Sequence, residues 1–133
     1  GGAAGSVASL SYVENGITDT LEEVPKEKLI NSVPLYTRVW TEKDGKTTSK
    51  AYGITAAQNW VEENNVELTW QDNIGQYYGE IENENGTQKI WMEETKSLGL
   101  KKDLVNKYDL AGIACWKLGF ETADIWAVIN EVK

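Results

Sequence analysis

Leu110-Ala111-Gly112-Ile113-Ala114-Cys115-Trp116 is an apolar run without alternation that ends in one Trp and passes through Lys117-Leu118-Gly119 towards a helical pattern. Such a run predicts a strand buried on both faces, as in parallel sheets covered by helices. We bound this strand at 110–118. Trp116 then lies at its carboxyl end, where α/β barrels and open parallel sheets place their ligands. A core Trp is the competing reading, because Trp is a common core residue. Residues 28–39 read as a second buried strand; Pro34 removes a ladder donor and so suits a strand end or a bulge.

Helical spacing appears between these runs. Val7, Leu10, Val13, Ile17, Leu21 and Val24 recur at three- and four-residue steps, predicting a helix over 6–23 with Ser6 as cap and Pro25 as stop. Residues 53–64 form a second helix pattern, with Thr55 as candidate cap and Ala57, Trp60 and Val61 as its stripe. Residues 93–108 form a third, and Thr122 caps a last one carrying Ile125, Trp126, Ile129 and Val132. Short strands are predicted at 66–70, 76–81 and 89–92, separated by Asn73-Ile74-Gly75 and Asn85-Gly86; residues 41–50 are polar around an Asp44-Gly45 turn. The order is a βαβ unit carrying a small antiparallel α+β decoration.

Composition narrows the function. At 133 residues the chain supports one domain of ordinary size but is too short for a complete (β/α)8 barrel, and 41% hydrophobic residues suffice for a packed core. A net charge of −8 without a basic cluster argues against a nucleic-acid partner. Glu62, Glu63, Glu80, Glu82 and Glu84 read as a solvated surface. There is no His, which removes Ser-His and Cys-His chemistry and His-based zinc sites. The single Cys115 reads as a buried, inert thiol and excludes an intrachain disulfide. No window is long and apolar enough to span a membrane, and no signal peptide is visible; neither cofactor nor metal is expected.

Six Trp and six Tyr against one Phe favour flat rings with a polar handle, which suit stacking on the C–H faces of sugars. Trp60, Trp126, Tyr12 and Tyr108 read as structural; Trp116, Tyr36 and Trp40 are the better site candidates, with Trp91 and Trp70 intermediate. Arg38 follows Tyr36 by two and shares its side of a strand, where it could bond sugar hydroxyls or orient a carboxylate. A surface ion pair with one of the many Glu residues is the alternative for Arg38. The pairs Glu93/Glu94 and Glu121/Asp124 lie at helix N-termini, where the macrodipole explains them better than catalysis. Asn85-Gly86-Thr87 matches a glycosylation sequon, but a turn accounts for it.

Four segments occur in an order that resembles glycoside hydrolase family 18. The run ending in Trp116-Lys117-Leu118-Gly119 is similar to the family's last strand, "aGva-W-lG". Val33-Pro34-Leu35-Tyr36-Thr37-Arg38-Val39-Trp40 is similar to its seventh strand, with a P-[FL]-Y core. Gly5-Ser6-Val7-Ala8-Ser9-Leu10-Ser11-Tyr12-Val13 resembles the start of the sixth helix in the spore-germination and cell-wall-lytic branch, and Lys89-Ile90-Trp91-Met92-Glu93-Glu94-Thr95-Lys96-Ser97-Leu98 the return into the seventh. The family's D-x-x-D-x-D-x-E strand and M-x-Y-D strand have no match in the chain.

The resemblance implies an α/β fold: the C-terminal fragment of a (β/α)8 TIM barrel, cut after the sixth strand. Residues 1–40 and 93–133 would be the partial barrel and 41–92 a small α+β insertion forming one cleft wall. It implies part of a glycosidase acting on β-1,4-linked N-acetylglucosamine polymers, peptidoglycan or chitin, by retaining, substrate-assisted hydrolysis. No catalytic residue would lie in this chain, which should be inactive unaided. Trp116 would floor the subsite of the N-acetyl sugar, Tyr36 and Arg38 would line the cleft, and Trp40 and Trp91 would add aromatic surface. The implied partners are an N-acetylglucosamine-containing polysaccharide and the remaining half of the barrel; the implied location is extracellular or in a bacterial cell envelope. Two alternatives stay open: a non-catalytic glycan-binding module, and a fragment that forms a homodimer through exposed strand edges.

Overall fold

The computed structural model describes residues 2–133. In chain order the elements are α1 (Leu10–Leu21), a 3-10 turn (Lys26–Lys28), β1 (Ile30–Pro34), β2 (Tyr36–Lys43), β3 (Lys46–Gly53), α2 (Ile54–Glu63), β4 (Thr69–Gln71), β5 (Gln76–Asn83), β6 (Gly86–Met92), α3 (Thr95–Lys107), β7 (Gly112–Trp116) and α4 (Ile125–Ile129). Two sheets result. β1 and β7 pair in parallel, with Val33 opposite Cys115 and Pro34 opposite Trp116. The other five strands form an antiparallel sheet in the order β3-β2-β6-β5-β4. This is an α/β chain with two parallel strands and an antiparallel sheet inserted between them.

The segment 28–39, read as one strand, is two. β1 stops at Pro34, which has no amide to extend the ladder, and after Leu35 the chain enters the other sheet at Tyr36. Leu35 is fully buried at this corner and its amide still donates to Trp116 O at 2.6 Å. A continuous apolar pattern cannot reveal a one-residue corner whose side chain is itself in the core. The polar segment 41–50 is also not a loop: it forms the β2–β3 hairpin around Asp44-Gly45. β3 is an edge strand, so it carries Lys46 and Lys50 instead of an apolar face.

The expectation of strands buried on both faces is corrected as well. Val33, Ile113 and Cys115 face the core formed with Leu35, Ile54, Leu98 and Ile125. Ile30, Ser32, Ala114 and Trp116 alternate to the other side and are exposed. One face is covered by helices and the other meets solvent. Helix ends shift too: α1 is capped by Ser9 rather than Ser6, α2 by Gly53 without a side-chain bond rather than Thr55, and Asp124, not Thr122, precedes α4.

α3 joins the two sheets. Leu98 enters the core beneath the parallel pair, while Leu104 and Val105 meet Ile17 of α1 and Leu110. Its start is a capping box in which Glu94 accepts from the amides of Lys96 and Ser97 and Ser97 Oγ accepts from the Glu94 amide. Glu93, read as a second macrodipole residue, is instead fully buried. Its carboxylate accepts from Lys101 Nζ, from Ser97 Oγ at 2.6 Å and from Gln76 Nε2 at 3.1 Å. Lys101 is as buried as Glu93, so this is an ion pair in the interior. Burial pushes the Glu93 carboxyl above its ordinary range, with Lys101 pulling against it.

Replacing Lys101 by Met leaves Glu93 buried without its countercharge and should cost about 3–5 kcal/mol in urea unfolding near neutral pH. The double variant Glu93→Gln/Lys101→Met, which removes both charges and keeps one carbonyl acceptor where the carboxylate had two, should recover part of that loss. Without Lys101 the folded carboxyl titrates still higher, so its stability contribution is present below the unfolded value and lost as pH rises. The Lys101→Met deficit should therefore shrink when unfolding is repeated at about pH 4.5. An equal deficit at both pH values would contradict the pairing.

Candidate functional site

The carboxyl ends of β1 and β7 open into a pocket of about 190 Å³. It is lined by Trp116 and Pro34, which are cross-strand partners, and by Tyr36, the first residue of β2. Val7 and Ala8, from the segment before α1, and Ser32 and Val33 of β1 complete the lining. Alternation along β7 turns Cys115 to the core and Trp116 outward, leaving its indole 64% exposed. The Trp116–Lys117 peptide is cis. Leu118, two residues on, is also exposed. The arrangement is a broad aromatic face backed by an aliphatic wall, with hydroxyls from Tyr36 and Ser32, and it suits a flat ligand with apolar faces and polar rims. None of the lining residues carries a carboxylate.

The other anticipated residues lie on the antiparallel sheet. Arg38 and Trp40 follow Tyr36 at two-residue steps and so share its face of β2. Lys89 is opposite Trp40, which puts Trp91, two residues on, on the same face. Arg38 Nε donates to Ser49 Oγ on β3 at 2.8 Å, not to a Glu. Trp40 Nε1 donates to Gly5 O at 2.7 Å. Trp91 Nε1 donates to Gln71 Oε1 at 3.3 Å, and its ring lies 4.8 Å from that of Tyr78. Thus only Trp116 and Tyr36 of the five meet in the pocket; Arg38, Trp40 and Trp91 occupy the adjoining sheet face, with the two indole N–H groups and the Arg38 Nε engaged.

Electrostatics on this face are paired. Lys89 bonds Glu42 at 2.6 Å, which raises the lysine, and Tyr78 donates to Glu80, with burial and that carboxylate driving the phenol well above its ordinary range. Glu121 accepts from the Gly119 amide at 2.7 Å in the loop after Trp116. Among the described residues, no cluster of three or more acidic, Cys or His side chains could hold a metal ion. The pocket wall of Val7 and Ala8 was not anticipated as site surface. Val7 shares the helical spacing of Leu10, and 6–23 was read as one helix, whereas α1 begins at Leu10 and Val7 and Ala8 form a bend before it.

No family model matches the chain. The cortical fragment-lytic enzyme of Bacillus subtilis is 25% identical over 134 residues, covering 98% of this chain and 31% of that protein. The crystal structure of the Bacillus megaterium spore cortex-lytic enzyme SleL superposes with a TM-score of 0.87 at 25% identity, over 98% of this chain and 31% of that one. A chitinase from Chromobacterium violaceum has the same fold over 96% of this chain and 40% of its own, with a TM-score of 0.88 at 23% identity. The chain thus matches part of glycoside hydrolase family 18 domains, those of chitinases, spore cortex-lytic enzymes and sporulation glycosylases. It spans about a third of the length of the curated relatives.

Burial, with a lesser effect from Glu121, pushes the Cys115 thiol above its ordinary value, leaving less thiolate. Alkylation of Cys115 by iodoacetamide at about pH 8 should be roughly tenfold slower in the folded chain than in urea, followed by mass spectrometry. Equal rates would mean that β7 does not seal its inner face.

Proposed function

We propose that this chain is the C-terminal part of a (β/α)8 barrel from a family 18 glycosidase, acting on β-1,4-linked N-acetylglucosamine polymers such as cortex peptidoglycan or chitin. The observation that carries the reading is the exposed Trp116 at the carboxyl end of a parallel strand, lining one pocket with Tyr36. The parallel β1–β7 pair would be two adjacent barrel strands, with residues 1–40 and 93–133 on the barrel side and 41–92 as the cleft wall. The exposed face with Ile30, Ser32, Ala114 and Trp116 would line the barrel interior. The match to cortex-lytic and chitinase structures supports this reading.

In this reading Trp116 floors the N-acetyl sugar subsite by stacking, and Tyr36 offers its hydroxyl to the ring substituents. Arg38 and Trp91 extend the surface along the adjoining sheet face. Hydrolysis follows the substrate-assisted route: an acid outside this chain protonates the leaving oxygen while the N-acetyl carbonyl attacks the anomeric carbon. This chain contributes binding and orientation, and the acid resides in the remaining barrel. The location is outside the cell or in its envelope, where such polymers lie. A glycan-binding role without cleavage is the second reading, favoured by one feature: none of the residues lining the pocket carries a carboxylate. Pairing of two copies along the free edge of β1 is the third.

Titration with the tetramer of β-1,4-linked N-acetylglucosamine, followed through Trp fluorescence, tests the reading. Trp116→Ala should weaken binding by about 2 kcal/mol, roughly thirtyfold in Kd, with little change in thermal stability because the ring is exposed. Unchanged affinity in that variant would remove Trp116 from the site. Turnover of the oligomer by this chain alone would overturn the placement of the acid elsewhere.

A further inference from the structure

The segment 5–9 has no regular structure, yet Val7 and Ala8 complete the Trp116 pocket. A segment without regular structure is held in place only where specific bonds tie it down. Three hydrogen bonds tie it. Trp40 Nε1 donates to Gly5 O at 2.7 Å, Ser6 Oγ donates to Gln76 Oε1, and the Leu10 amide donates to Ile74 O at 2.8 Å. Val7 and Ala8 lie between the second and third of these ties.

We propose that Ser6 and Trp40 are positioning residues that hold the segment 5–9 as a wall of the Trp116 pocket, and that Gln76 anchors this wall to the buried Glu93–Lys101 pair. Gln76 is 1% exposed and cannot swing aside. Its amide nitrogen donates to Glu93 Oε2, and a carboxylate only accepts. The nitrogen of Gln76 therefore faces Glu93, its oxygen faces Ser6, and Ser6 must donate. Glu93 is fixed in turn by Lys101 and Ser97 on α3. Two hydrogen bonds thus run from the ion pair to the backbone next to Val7. Trp40 acts from the other side: its one polar atom is spent on Gly5, which assigns it to support of the wall rather than to ligand contact. The width of the slot between Val7–Ala8 and Trp116 is set by these bonds. Only the affinity part of this proposal rests on the sugar-binding reading.

The test uses the whole chain with Ser6→Ala/Trp40→Phe, which removes both donors and keeps a ring at position 40. NMR relaxation reports Val7 and Ala8, the indole resonance of Trp116 reports the pocket, and the N-acetylglucosamine tetramer reports affinity. The order parameters of Val7 and Ala8 should fall from about 0.85 to below about 0.6. The Trp116 resonance should shift, and Kd should rise roughly tenfold. Ser6→Thr, which keeps the hydroxyl, should stay at wild-type values. Unchanged order at Val7 and Ala8 overturns the proposal, as does lost order with an unmoved Trp116 resonance. Failure of the wild-type chain to bind the tetramer counts against the sugar-binding reading alone, since the relaxation and indole measurements still decide the positioning role. If the double variant does not fold, the two single variants carry the same measurements.

Discussion

Lys101 and Glu93 form the contact through which the two sheets become one body. Glu93 directly follows β6, the central strand of the antiparallel sheet, and Lys101 lies two turns into the helix that covers the parallel pair. An ion pair removed from water is stable only with good geometry and with every remaining donor and acceptor satisfied. Ser97 and Gln76 supply donors to the Glu93 oxygens beside Lys101, so the sites of four residues on β5, α3 and the turn between β6 and α3 are fixed together. Apolar contacts alone would allow α3 to slide over the sheet end, because burial is not directional. The charged pair converts that contact into one relative position.

From this position the rest follows. α3 carries Leu98 into the core under β1 and β7 and Leu104 and Val105 against α1. That seating brings α1 back over the sheet end, where the Leu10 amide reaches Ile74. The preceding segment then crosses to Gln76 and Trp40 and arrives beside Trp116. A pocket between a parallel strand end, an antiparallel sheet and an N-terminal segment is thus built from three parts of the chain far apart in sequence. The match to a third of longer glycosidases and cortex-lytic enzymes accords with a unit whose inner strand face is left open.

Much of the architecture was legible. The apolar run before Trp116 predicted a parallel strand, the periodic segments predicted the helices, and the Asn85-Gly86 turn predicted the β5–β6 hairpin. Gly86 has φ +110°, and a Cβ there would strike Glu42 O, so the turn and the approach of β2 both require glycine. Of the five residues chosen for the site, Trp116 and Tyr36 share the pocket because Trp116 ends β7 and Tyr36 stands just past the end of β1. Arg38 and Trp40 do not, because β2 leads them away from that corner along the other sheet, and Trp91 stands on β6 beside them. Lys46–Gly53 escaped recognition because an edge strand needs no apolar face.

The sequence by itself determined the local states: which segments are helices, which runs are strands, and which residue type stands at each strand end. These depend on side-chain periodicity and turn chemistry, which are encoded within a few residues. Only the tertiary structure decided that Glu93 is a buried partner of Lys101 rather than a helix-dipole residue, and that Trp40 serves a backbone carbonyl. It also decided that Val7 and Ala8 wall a pocket. Those roles come from contacts between residues far apart in the chain, 70 positions in the case of Ser6 and Gln76. A local pattern carries no term for such contacts, because the cost of burying a charge or a donor depends on what the rest of the chain brings to it.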